Sequence, residues 1–176
     1  MPAQPSQEMF ENILSFGLRA VGCGQKPASS QIPPSGSEVA WLEDESQRIG
    51  LINIPTDLWN NMRQSPVYFL NIPFEERLKH LVEEYGSLEK QKMIDAIDRI
   101  SNRLGGLEAK NAIAFLQEDN TVESFRVLLK YYDKWYQKAL HNREELNSLL
   151  HTINCESVTP LNAKKLIQRS VYHEKS

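Results

Sequence analysis

Apolar positions along this chain recur in two rhythms, and the change from one to the other divides it. In "PSQEMFENILSFGL", Phe10, Ile13, Leu14, Gly17 and Leu18 return at helical spacing behind Pro5 and Ser6, which predicts an opening helix. "GCGQKPASSQIPPSGS", Gly22 to Ser37, is rich in glycine, proline and serine and reads as an exposed loop. "EVAWL" and "PVYFLNI" (Pro66 to Ile72) are short continuous apolar runs, the pattern of parallel strands covered on both faces. Between them, "PTDLWNNMRQ" gathers Leu58, Trp59 and Met62 on one side of a short helix. The order strand, helix, strand predicts a parallel βαβ unit and an α/β fold class.

From Pro73 onward the rhythm is helical. "PFEERLKHLVEEYG" opens on proline, carries early acids, places Leu78, Leu81, Val82 and Tyr85 on its inner face and stops at Gly86. "SLEKQKMIDAIDRISNRLGG" follows, with Met93, Ile94, Ile97, Ile100 and Leu104 on one stripe. "LEAKNAIAFLQ" is a shorter helix. Asn120 and Glu123 have capping-box spacing for the last one, whose Val122, Phe125, Leu129, Tyr132, Tyr136 and Ala139 are expected to face the bundle. The expected organisation is a partial α/β domain over 1–73, a helical extension over 74–140 and a C-terminal helix or tail over 141–176. Two strands buried on both faces require more sheet than these segments supply, so the domain's first strands are expected to lie outside the chain.

Composition narrows the class. The chain has 176 residues, 40% hydrophobic and 24% charged, the balance of a soluble globular protein. No apolar run approaches the roughly 20 residues of a membrane span, and the N-terminus lacks the layout of a secretory signal, so a cytosolic protein without membrane contact is expected. A net charge of -3 gives no overall attraction to nucleic acid: DNA is not expected as a partner, and RNA contact would need a local basic face. Cys23 and Cys155 have no second thiol or histidine at metal-ligand spacing and read as unreactive thiols. His80, His141, His151 and His173 are scattered and receive no role.

Three sets of residues offer chemistry. In "EVAWLEDESQRIG" an apolar run ends on Glu43, Asp44 and Glu45, and the carboxyl end of a parallel strand is where open α/β sheets place ligands. There the acids could hold Mg²⁺ or position a water, with Ser46 supplying a hydroxyl and Arg48 an anion contact. A solvated turn in which Glu45 pairs with Arg48 accounts for the same residues. Second, Arg99, Arg103 and Lys110, with Arg126, Lys130, Lys134 and Lys138 at intervals of four, suit either an RNA backbone or a solvated helix face. Third, Tyr132 and Tyr136 are expected in the core. Tyr131 and Trp135 face the other way, open to stack a base or line an apolar channel. Arg77 either reaches a phosphate or pairs with Glu76 or an acid one turn away.

Taken in order and spacing, "QPSQEMFENIL", "WLEDESQRIG", "IPTDLW", "PFEERLKHLVEEYG", "RLGGL" and "LLKYYDKWY" resemble the C-terminal domain of bacterial tRNA 2-selenouridine synthase, from about Gln4 to Ala139. The resemblance implies a partial P-loop NTPase-like parallel sheet followed by a mainly helical extension, in a protein that also carries a rhodanese-like domain. It implies replacement of sulfur by selenium in the wobble 2-thiouridine of tRNA, with selenophosphate as donor and S-geranylation from geranyl diphosphate on the way. No tightly bound cofactor is implied; the phosphate-bearing substrates call for cationic neutralisation, with Mg²⁺ as a candidate. On the matching motif, Glu43, Asp44, Glu45, Ser46 and Arg48 become the phosphate or metal candidates. The basic residues Arg99, Arg103, Arg126, Lys130, Lys134 and Lys138 become the tRNA candidates. The sequence departs from the family in having no G-x-x-x-x-G-K-[ST] run and no rhodanese cysteine. A truncated or split synthase is therefore expected, inactive alone and working beside a separate rhodanese and P-loop half. The alternative is a non-catalytic tRNA- or partner-binding module.

Overall fold

The structure, a computed structural model, describes residues 4–20, 40–44 and 46–173. The chain forms two compact units, Met1–Ser65 and Pro66–Ser176.

In the first unit, helix α1 (Gln7–Ala20) starts where the sequence predicts, with the Ser6 hydroxyl accepting a hydrogen bond from the Met9 N–H at 3.2 Å. Strands β1 (Arg48–Ile49) and β2 (Ile52–Asn53) form a two-residue antiparallel hairpin, and helix α2 (Thr56–Gln64) follows. Two side-chain amides hold the hairpin to the start of α1. Gln4 donates to the Ile49 carbonyl at 2.6 Å and accepts from the Leu51 N–H at 3.0 Å. Gln7 donates to the Asn53 carbonyl at 2.9 Å and accepts from the Asn53 N–H at 2.8 Å. Each amide thus satisfies a donor and an acceptor that a neighbouring strand would otherwise take. Gly50 makes the turn at φ +64°, and a Cβ there would lie 2.7 Å from Gln4 Oε1. Ile52 is buried, whereas Met9, Ile13 and Phe16 on α1 are exposed.

The strand expected at "EVAWL" is not formed over its described part: Ala40 to Asp44 have no regular structure, and Glu38 and Val39 lie outside the described residues, as does the Gly22–Ser37 loop. An apolar run becomes a strand only when a neighbour completes its hydrogen-bond ladder, and the described residues give this one none.

The second unit contains strand β3 (Val67–Asn71), helices α3 (Phe74–Tyr85), α4 (Lys90–Leu104), α5 (Gly106–Gln117), α6 (Thr121–His141) and α7 (Leu146–Leu149), strand β4 (Leu150–Asn154) and helix α8 (Leu161–His173). The chain is thus α/β and mainly helical with a small parallel sheet, as a partial P-loop-like domain with a helical extension would be. The parallel partner of β3 is β4, in register from Val67 with Leu150 to Asn71 with Asn154, rather than "EVAWL". The segment expected to be a helix or tail supplies that strand. Tyr68 and His151 stack across the pair at 4.9 Å, Asn71 donates to the Asn154 side chain at 2.8 Å, and the Cys155 N–H extends the ladder to the Asn71 carbonyl at 3.0 Å.

Two apolar clusters organise the helices. Ile97, Leu104, Ala109, Ala112 and Leu116 form the first, with Val127, Leu128 and Tyr131 of α6 packed against it. Ala109 and Ala112 let the α5 backbone approach its neighbours closely, and Gly105 makes the α4 to α5 turn at φ +103°. Leu78, Phe125 and Leu129 form the second cluster with Phe74, Leu81 and Val82, and Met93 and Leu128 touch both. The predicted cap of α6 is present, Asn120 Oδ1 accepting from the Glu123 N–H at 3.2 Å. Tyr85, expected inside, is exposed in the last turn of α3.

Helices α3 and α6 are also joined by charge. Arg77 donates to both Asp133 oxygens, at 2.5 and 2.9 Å, and not to Glu76 or an acid one turn away. In the opposite sense, Arg126 of α6 binds Glu75 of α3 and its own neighbour Glu123. Both guanidiniums lie 5.8 Å from the centre of the Phe74 ring.

These contacts generate three expectations. Gly50→Ala, strained by its φ and crowded by Gln4, should destabilise the hairpin by about 1–3 kcal/mol, read as faster hydrogen exchange at Ile52 and Asn53; unaltered exchange would contradict the clamp. The hydrogen bond from Arg126 holds the Glu75 carboxyl below its ordinary value of 4.5. A depressed folded value contributes stability above 4.5 that disappears as pH falls through it, so Glu75→Gln should flatten the dependence of Tm on pH below 4.5. Finally, Ser124 is fully buried and its hydroxyl makes no hydrogen bond. Ser124→Ala removes that desolvated group, and its urea midpoint should equal or exceed that of the parent chain.

Candidate functional site

The acid-rich segment and the basic helices belong to different units, so each is a candidate in its own right. Glu43 is exposed and Asp44 half-buried, both on irregular backbone, and Glu45 lies outside the described residues. Ser46 donates its hydroxyl to the Arg48 carbonyl at 2.7 Å, and Arg48 Nε donates to the Gly50 carbonyl at 3.0 Å. These two side chains therefore stabilise the approach to the β1–β2 turn, with the remaining guanidinium nitrogens of Arg48 on an exposed residue. Among the described residues no three His, Cys, Asp or Glu side chains converge as metal ligands.

In the second unit the basic residues separate into two groups. Arg126, with a quarter of its side chain exposed, is committed to Glu75 and Glu123, and these carboxylates hold its guanidinium firmly protonated. Arg77 is likewise committed to Asp133. By contrast, Arg99 and Arg103 on α4, Lys110 on α5, and Lys130, Lys134 and Lys138 on α6 are exposed. Lys138 sits 5.4 Å over the Trp135 ring, and none of Arg99, Arg103, Lys134 and Lys138 forms an ion pair among the described residues.

The aromatic residues are arranged otherwise than expected. Tyr131 is half-buried against the first apolar cluster, whereas Tyr132 and Tyr136, expected in the core, are 43% and 42% exposed, beside Trp135 at 48%. After Leu129 no described residue of α6 is buried, although Asp133 still meets Arg77 of α3 and Tyr131 still packs on the first apolar cluster. Tyr131 meets Tyr132 edge-on at 5.4 Å and Trp135 edge-on at 6.2 Å. Burial pushes the Tyr131 hydroxyl pKa up, helped by Tyr132, while Arg103 and a hydrogen bond with Trp135 pull it back.

Beside them lies a recess of about 360 Å³. Its floor is apolar, including Met93, Ala96, Ile100 and Leu128, and Arg99 and Tyr132 also line it. The sequence reading named Arg99 and Tyr132 separately but not the recess that unites them. Its walls come from two helices with a third between them in the chain, and helical periodicity within either one carries no signal of that pairing.

Comparison with known proteins assigns the chain to a family. The model of the tRNA 2-selenouridine synthase AAA domain matches residues 1–165. Curated proteins named tRNA 2-selenouridine synthase are similar to it: that of Pseudomonas syringae pv. tomato is 27% identical over 162 residues, which is 76% of this chain and 41% of the relative. The protein from Shewanella loihica is 28% identical over 171 residues, 81% of this chain and 43% of the relative. The protein from Bordetella bronchiseptica is 26% identical over 165 residues, 76% of this chain and 41% of the relative. The matched chain thus spans about two fifths of the length of these relatives. No solved structure matches. With the family model covering nearly its whole length, the chain belongs to the tRNA 2-selenouridine synthase AAA domain family.

Proposed function

We propose that this chain is the C-terminal portion of a tRNA 2-selenouridine synthase acting in the cytosol, and that its own share of the work is to dock tRNA. The family match over residues 1–165 carries this reading. In the reaction it would serve, selenium from selenophosphate replaces the sulfur of wobble 2-thiouridine, with S-geranyl-2-thiouridine formed from geranyl diphosphate on the way. Both donors bear phosphate, and Arg48 with Glu43, Asp44, Glu45 and Ser46 is the set that would face it. The sequence has no G-x-x-x-x-G-K-[ST] run, so the loop that cradles phosphate and the rhodanese cysteine would come from elsewhere in the synthase.

The docking role has a separate support. Lys130, Lys134 and Lys138 are exposed along α6, and Arg99 and Arg103 are exposed on α4, in a chain whose net charge is negative. Local clustering of cations is what binding to a phosphate backbone requires when overall charge opposes it. The same observation favours the second reading, a non-catalytic tRNA-binding module that works beside a separate rhodanese and P-loop half.

Anisotropy titration of labelled tRNA with the 176-residue chain across a salt series tests the docking role. Affinity should fall steeply with salt, and Lys130→Ala and Lys134→Ala should each reduce the slope of log K on log salt by about 1. Arg126→Ala should act mainly by lowering Tm, since its charge is already neutralised by Glu75 and Glu123. A folded chain that ignores tRNA at low salt would sink the docking role.

A further inference from the structure

We propose that the face shared by α4 and α6 is a stacking platform for an unpaired base of the tRNA, received by Trp135 and Tyr132 and flanked by Arg99, Arg103 and Lys138. The proposal rests on the tRNA-docking reading and specifies which part of the RNA this face takes.

Trp135 and Tyr132 present large apolar rings to water on a helix whose earlier apolar residues Phe125 and Leu129 are buried. Their orientation is set from beneath. Tyr131, anchored against the first apolar cluster, meets both rings edge-on. Rings held this way lose little side-chain freedom when a flat partner arrives, which is the condition for productive stacking. Next to Tyr132 the recess offers an apolar floor with Arg99 among its lining residues, a place where a base displaced from its neighbours buries its faces.

The charges complement an RNA strand. Arg99 and Arg103 form no ion pair among the described residues. Lys138 rests on the Trp135 ring, so its ammonium is within reach of the phosphate next to a base stacked there. Stacking combined with cations suits single-stranded nucleic acid and discriminates against a duplex, whose bases are already stacked on one another. The wobble nucleotide of the proposed reaction lies in a loop, where bases can be splayed out.

The test uses the full 176-residue chain carrying Trp41→Phe and Trp59→Phe, which leaves Trp135 as the sole tryptophan. Its fluorescence is titrated with an anticodon stem-loop RNA and with the same sequence closed into a full duplex. The stem-loop should quench Trp135 saturably and the duplex should not. Trp135→Ala in the parent chain should weaken stem-loop binding by about 5- to 100-fold, with Trp135→Phe retaining most of it and circular dichroism confirming the fold of both. Salt-dependent tRNA binding with unmoved Trp135 fluorescence and an unaffected Trp135→Ala variant would overturn the stacking platform while leaving the docking role standing. Quenching by geranyl diphosphate and not by RNA would overturn it in favour of an apolar channel. A chain that binds no tRNA at all would remove both readings together.

Discussion

The second unit depends on a crossed pair of ion bonds over one aromatic ring. Helix α3 gives Arg77 to Asp133 and takes Arg126 on Glu75, and Phe74 lies against both guanidiniums. The bonds have opposite polarity, so each helix contributes one cation and one anion. Sliding one helix along the other would separate both pairs at once. Partial exposure keeps the desolvation cost of these charges modest, while Leu78, Phe125 and Leu129 supply the apolar burial alongside. Once α6 is fixed in this way, its other side receives α5 and α4, and the helix extends beyond Leu129 with Tyr132, Trp135 and Tyr136 partly exposed.

That extension is what makes α6 two things in succession. Its first half is structural, with Ser124, Phe125 and Leu129 enclosed. Its second half bears Tyr132, Trp135 and Tyr136, which are 43%, 48% and 42% exposed. Aromatic residues in a bundle usually report packing, and here three of them keep more than two fifths of their surface exposed. Tyr131 links the halves: it packs with the core and props the exposed rings.

Much of this was legible in the sequence because it is local. Pro73 and Gly86, the Gly105-Gly106 pair and Asn120 mark helix ends by backbone rules that act within a few residues, and the stripe from Met93 to Leu104 states its period directly. The pairing of β3 was not legible. "LHTIN" has only Leu150 and Ile153 as large apolar residues, and its strand character comes from a partner more than eighty positions earlier. "EVAWL" looked the better strand and forms none over Ala40 to Leu42. The row from Arg126 to Lys138 misled for a geometric reason. Steps of four residues rotate about 40° around a helix of 3.6 residues per turn, so a row that begins facing α3 ends beside Trp135. Arg126 thereby becomes a structural cation while Lys138 becomes a surface one.

The separation of β3 from β4 also orders events in time. Asn71 and Asn154 are 83 residues apart in the chain yet share a side-chain hydrogen bond. The loop their pairing closes contains α3, α4, α5, α6 and α7, so the entropy of closure is lowest once those helices have already condensed. On the ribosome the helices emerge while β3 is still an unpaired strand with its backbone groups open to other chains. The segment that carries β4, made only after the five helices α3 to α7, is what closes that edge, so β3 keeps its open backbone groups until all of them have been synthesised.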